Sequence, residues 1–195
     1  MRVLYVFCHP LQDSFHAAVL KESLAGLKDG GHEVDLCDLY AEGFDPVLSA
    51  DMRRRYHDTK RNQEGLEGYV KRLREAEALV LQFPVWSFGP PAMLKGWFDR
   101  MLMPGVAFDM TDPANIKSSL THIRALAGIT TYGRQWWTAL YVGDPPRKIV
   151  KRYLPRLFAP SLRPQYHALY HMNVATDAQR KDFMVRVRKA MQDFK

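Results

Sequence analysis

Short β-rich runs alternate with longer helical ones along most of the chain, and this alternation restricts the fold more than any other feature of the sequence. Parallel strands joined by crossover helices produce such a pattern, because each helix must carry the chain back to the same end of the sheet. Arg2–Cys8 (RVLYVFC) reads as a first buried strand. Phe15–Leu27 reads as a helix, with Ala18, Leu20, Leu24 and Leu27 apolar, Ser14 as its N-cap and Gly30-Gly31 as its stop. Glu33–Leu39 alternates apolar and polar residues, as an outer strand should. Residues 43–63, with Arg53, Arg54 and Arg55 in a row, read as surface loop or short helix. Leu66–Arg74 is expected to be a helix feeding a central strand, Ala78–Phe83. Ala92–Met103 follows as a helix opened by Pro91, whose missing N–H costs nothing in a first turn. Its Met93, Trp97 and Met101 stripe is assigned to the core or to a subunit contact. His122–Ile129 and Gln165–Met172 supply two more strands, and Arg147–Phe158 and Asp177–Phe194 two more helices.

The expected architecture is α/β, a flavodoxin-like doubly wound parallel sheet of five strands in the order 2-1-3-4-5, helices on both faces. A single domain over residues 1–195 is expected. The most apolar stretch, Leu79–Leu94, is broken by Gln82, three prolines and a glycine, so it is no lipid-spanning helix. Val3–Cys8 is too short for a secretory core. Cys8 and Cys37 form neither a CxxC pair nor a metal spacing and read as buried free thiols in a reducing compartment; a cytoplasmic location is expected. Residues 1–50 carry three basic and eight acidic side chains, whereas 51–195 carry 25 basic and 13 acidic. A basic surface can attract nucleic acid, an anionic membrane or a phosphorylated cofactor, or it can simply be solvated. Charge alone favours solvation, and no nucleic-acid partner is expected.

In such a sheet a ligand binds beyond the carboxyl ends of the strands, where the strand order reverses. Three segments are expected to meet there. His9-Pro10-Leu11-Gln12-Asp13-Ser14-Phe15-His16 joins a strand to a helix, so it is either an anion site or an ordinary capped helix start. It lacks both the GxGxxG and the GxxxxGK[ST] pattern, which argues against a dinucleotide Rossmann site or an NTPase. Pro84-Val85-Trp86-Ser87-Phe88-Gly89-Pro90-Pro91 places two aromatics in a stiff turn, to line a heteroaromatic ring or to plug the core. Thr130-Thr131-Tyr132-Gly133-Arg134 is read as a loop whose N–H groups stabilise negative charge, and Trp136-Trp137 as core or interface. His167 and His171 are placed on one face of the last strand; with no third ligand nearby they read as a packed or surface pair, not a metal site.

The run Leu81–Arg100 (LQFPVWSFGPPAMLKGWFDR) closely resembles the signature of the NAD(P)H:quinone oxidoreductases, the flavodoxin-2-like diaphorases. His9-Pro10 with Ser14-Phe15, Asp38-Leu39-Tyr40, Phe44-Asp45-Pro46 and Ile129–Gly133 are similar to other parts of that family, and beyond Arg134 the likeness weakens. The resemblance implies a non-covalent flavin, FAD or FMN, with NAD(P)H as co-substrate, ping-pong two-electron hydride transfer to a quinone-like acceptor, and a homodimer. It implies that His9, Ser14, Phe15 and His16 hold the phosphate and ribityl end of the flavin. Pro84, Val85, Trp86 and Phe88 would line its ring, and Thr130, Thr131, Tyr132 and Gly133 would lie at its pyrimidine edge. Tyr132 is the expected side-chain donor to the acceptor oxygen. An alternative is a regulatory ancillary flavoprotein of a potassium-efflux transporter, which would give the chain a membrane-transporter partner.

Overall fold

The computed structural model describes residues 1–195. β1 (Arg2–Phe7), β2 (Glu33–Asp38), β3 (Ala78–Val85), β6 (Ala125–Tyr132) and β7 (Gln165–Leu169) form one parallel sheet in the order β2-β1-β3-β6-β7. This is the expected flavodoxin-like order 2-1-3-4-5. A two-stranded hairpin of β4 (Phe108–Asp109) and β5 (Lys117–Ser118), absent from the sequence reading, stands apart from it.

Because side chains alternate along a strand, the central strands feed two cores and read as nearly continuous apolar runs. Val3, Tyr5 and Phe7 of β1 pack with Val19 and Leu27 of α1 (Phe15–Asp29). Phe183, Val187 and Met191 of α7 (Asp177–Gln192) complete that side. Leu4 and Val6 face the other core, with Leu73 of α3 (Glu67–Glu75) and with Trp97 and Met101 of α4 (Ala92–Met101). The Trp97–Met101 stripe is therefore core. Cys8 and Cys37 are buried and free.

The strands do not end level. β1 pairs with β3 only as far as Phe7 opposite Gln82, whereas β3 and β6 remain paired to Val85 opposite Tyr132. The expected fourth strand is thus displaced: it starts at Ala125, not His122, and continues through Tyr132. The Ile123 carbonyl instead accepts from Ala159 N at 2.9 Å and fastens the segment before the strand to the loop after residue 157.

Residues 43–63 contain one short helix, α2 (Ala50–Arg54), as the loop-or-short-helix reading allowed. Other boundaries differ from the sequence reading. Trp136-Trp137 opens a short helix, α5 (Trp136–Tyr141). The expected helix 147–158 begins earlier, as α6 (Pro145–Lys148), widens to a π turn over Ile149–Tyr153 and tightens to a 3-10 turn over Leu154–Leu157. Pro155 explains the change of pitch, since it has no N–H to continue an α-helical ladder. The last strand stops at Leu169, and His171 adopts a left-handed conformation (φ 58°), so His167 and His171 do not share a strand face.

Gly26 lets α1 and α7 approach closely: a Cβ there would lie 2.3 Å from the Arg188 carbonyl oxygen. Gly26→Ala is expected to lower stability by about 1–2 kcal/mol net, because overpacking outweighs the gain in helix propensity. A drop in the urea midpoint at unchanged m-value is the readout.

Candidate active site at the carboxyl rim of the sheet

Loop His9–Ser14 delivers the chain from β1 into α1. Ser14 caps the helix as expected: its hydroxyl accepts from Ala17 N at 3.2 Å and donates to the Leu11 carbonyl at 2.7 Å. No acidic residue occupies the first turn of α1, so the positive end of the helix dipole is uncompensated there. Phe15 turns inward and packs against Phe183, ring centroids 6.3 Å apart.

His16 is 4% exposed and is fixed from both ring nitrogens. Gln82 Nε2 lies 3.3 Å from Nδ1, and Nε2 lies 2.9 Å from Thr131 Oγ1. Gln82 Nε2 also donates to the His16 carbonyl at 2.6 Å, and Gln82 Oε1 accepts from Tyr5 at 2.5 Å. With Nδ1 accepting from the amide, Nε2–H donates to Thr131, so the ring is neutral. Burial, reinforced by nearby His9, pulls its pKa down to about 3. The expected role of His16 on a phosphate is corrected accordingly: its ring has no nitrogen left for a ligand. His9 is half-buried, stacks on His16 at 5.4 Å and sits 6.2 Å from the Trp86 ring.

The second segment is partly strand. Pro84 and Val85 belong to β3 and pair with Thr131 and Tyr132. Beyond them Trp86-Ser87-Phe88-Gly89 makes a tight reverse turn, closed by Trp86 N to Gly89 O (3.0 Å) and Gly89 N to Trp86 O (2.9 Å). Ser87 (φ 49°) and Phe88 (φ 58°) are both left-handed, a geometry that matches strand twist but suits glycine or asparagine better. The turn lifts the Trp86 ring into solvent.

The third segment departs furthest from expectation. Thr130 and Thr131 are strand residues paired with both β3 and β7, so their backbone groups face neighbouring strands, not the rim. The loop begins at Gly133. The Tyr132 side chain is buried: its hydroxyl donates to Asp144 Oδ1 at 2.6 Å and touches the Tyr166 hydroxyl at 2.5 Å. Burial and these neighbours push its pKa far up, so it stays protonated. With its hydroxyl hydrogen already donated to Asp144, Tyr132 is a wall residue here and not the free donor expected from the sequence. Its ring stacks on Tyr170, centroids 4.5 Å apart.

Val85, Ser87 and Phe88 meet Tyr132, Gly133 and the segment after β7 around a cavity of about 480 Å³, which lies in the range of small-molecule sites. Asn173 from that last segment, like Asp144 and Tyr170, escapes a reading of the sequence alone, and His171, read there as one of a packed or surface pair, proves to line the cavity. Gln82 carries a usable signal, since a lone amide in a buried apolar strand must have a partner.

Comparison with known proteins places this geometry. Residues 1–141 match the flavodoxin-2 family model, described as a flavodoxin-like fold. The chain belongs to the flavodoxin-2 family. NAD(P)H dehydrogenase [quinone] 1 of Rattus norvegicus is 32% identical over 148 residues, covering 68% of this chain and 54% of the rat protein. The chain thus spans about half the length of that relative. Among solved structures, Smu.1420 from Streptococcus mutans UA159 superposes with TM-score 0.87 at 27% identity, covering 99% of this chain and 100% of that one. An NAD(P)H:quinone oxidoreductase from Methanothermobacter marburgensis gives TM-score 0.82 at 25% identity, covering 99% and 95%. The expected likeness to the quinone oxidoreductases is borne out, and the flavodoxin-2 match stops close to where the sequence likeness was expected to weaken.

Two outcomes follow from the site geometry. Ser87→Gly removes a left-handed non-glycine residue and should raise stability by up to about 1 kcal/mol, read as a higher urea midpoint. A histidine whose folded pKa lies below its unfolded value of ~6.5 stabilises the fold above that pH. For His16 this contribution should be lost progressively as pH falls from about 6.5 towards about 3. His16→Gln should therefore flatten the acid limb of a urea-midpoint profile over that window.

Proposed function

We propose that the chain is a flavin-dependent NAD(P)H:quinone oxidoreductase that works in the cytoplasm. The observation that carries this reading is the meeting of three segments at one rim. His16 on Thr131, His9 beside Trp86, and Val85 opposite Tyr132 hold them together. The family and the named activity of its relatives agree with it.

The donor set fits a flavin. The uncompensated start of α1, with the Ser14 hydroxyl and the half-buried His9, suits a phosphate. Val85, Trp86 and Phe88 offer apolar and aromatic surface for a flat ring, and the turn from Gly133 onwards offers free backbone donors at its edge. Thr131 contributes by fixing His16, and Phe15 by anchoring α1. Pro84, buried at the end of β3, stiffens the strand beneath the ring. FAD and FMN both satisfy this set.

When bound, the flavin supplies two-electron hydride chemistry. The overall reaction oxidises NAD(P)H to NAD(P)⁺ and reduces a quinone to its hydroquinone, with one proton taken from solvent. The protein binds, orients and shields. Phe88 orders whichever partner shares the cavity, the exposed Trp86 ring stands beside it in the same turn, and the buried Tyr132–Asp144 hydrogen bond fixes the wall. Donor and acceptor use one place in turn, which gives ping-pong kinetics. The exposed apolar face of α5 that carries Trp137 (56% accessible) and Tyr141 (91%) supports a homodimer in which a second copy covers it.

Purified protein reconstituted with FAD or FMN should bind one flavin tightly, show its visible absorption band and bleach anaerobically with NAD(P)H. Trp86→Ala should weaken flavin binding by about tenfold, the scale of one lost aromatic contact. Protein that stays colourless with both flavins would refute the assignment.

A further inference from the structure

A second cleft, about 700 Å³ in volume, adjoins the rim cavity. Arg147, Lys148, Lys151 and Arg152 line it, together with the aromatic rings of Trp136 and Tyr170. Tyr170 stacks on Tyr132, which lines the rim cavity, so one tyrosine pair is a common wall of both spaces. The π turn at Ile149–Tyr153 carries Lys151 and Arg152 directly after Arg147 and Lys148 of α6, so residues of both border the same space.

What distinguishes these four cations is that they crowd one concave space. None has a carboxylate within salt-bridge distance to neutralise it. Arg147 has aromatic neighbours in place of a carboxylate: the Tyr166 ring lies beneath it, 5.6 Å from the guanidinium carbon, and the Tyr170 hydroxyl is beside it. Asp144, the one carboxylate bordering the cleft, already accepts from Tyr132. Four cations without counter-ions beside two aromatic rings form a receptor for an anion attached to a flat base. A membrane is a weaker match, since its charge is spread over a plane and this receptor is concave.

We infer that this cleft takes the phosphate-bearing adenosine end of the nicotinamide nucleotide and selects the form with the additional 2′-phosphate, NADPH over NADH. The inference rests on the reading of the rim as a flavin and nicotinamide site. Trp136 and Tyr170 border the base, and Lys151 and Arg152, both exposed and free of other contacts to carboxylates, meet the phosphate.

Adenosine 2′,5′-bisphosphate and adenosine 5′-phosphate should be titrated calorimetrically into flavin-loaded and flavin-free protein. The bisphosphate should bind about tenfold more tightly at low salt, with the margin shrinking at high salt. Lys151→Gln/Arg152→Gln should bring the ratio close to one. Lys181→Gln/Lys189→Gln, which removes the same charge from α7, should preserve it. The NADPH to NADH ratio of kcat/KM should move in parallel. Equal affinities in the wild type, or a preference that survives in the Lys151/Arg152 variant, would overturn the inference. Loss of bound flavin from that variant would also overturn it, by assigning the cleft to the flavin's own adenylate. Preferential bisphosphate binding by protein that takes up no flavin would uphold the phosphate subsite and refute the rim reading instead.

Discussion

One amide ties the functional end of this molecule together. Gln82 sits fully buried in the central strand β3, where an unsatisfied polar group costs a few kcal/mol, and each of its polar atoms is engaged. Its oxygen accepts from Tyr5 of β1, and its nitrogen reaches both the ring and the carbonyl of His16 in α1. His16 then passes the connection to Thr131 of β6. Three neighbouring strands and the first helix are thereby held in one register by directional bonds, which apolar packing alone does not enforce. The neutrality of His16 belongs to the same arrangement, because a charged ring could not accept from the amide.

A second polar knot lies one strand further out. Tyr132, Asp144, Tyr166 and Thr130 share hydroxyl and carboxylate contacts beneath the rim, and Tyr170 stacks on the Tyr132 ring. Asp144 occupies a left-handed conformation (φ 46°) directly before α6. That strained residue sets where the basic helix starts, and hence where its cations lie. The two knots together explain why the rim is rigid although each of its turns is solvent-facing.

The parallel sheet is legible in the sequence because its inner strands are continuous apolar runs and its helices carry strong end signals, Ser14 and Gly30 among them. The fourth strand is displaced from its expected place for a chemical reason. Thr130-Thr131-Tyr132 has the composition of a polar loop, yet threonine and tyrosine are good strand formers when their hydroxyls find buried partners, as they do here. Local pattern cannot reveal partners such as Gln82 and Asp144, which are remote in sequence or follow a turn. The hairpin at Phe108–Ser118 is invisible to it because two-residue strands have no period. The aromatic turn at Trp86–Gly89 is the most legible part of the site, since its prolines and glycine stiffen the chain while two large rings remain at the end of a buried strand.

The uneven strand ends have a geometric outcome. With β1 released at Gln82 and β3 still paired three residues further, the sheet's edge forms a terrace whose riser is about 10 Å high at ~3.3 Å per residue. A planar molecule laid on the lower step has one long border against the riser and the other open to water. Its tilt is therefore governed by the difference in length between two strands. Chains of this fold could alter what they accept by lengthening β1, leaving every side chain of the upper step in place.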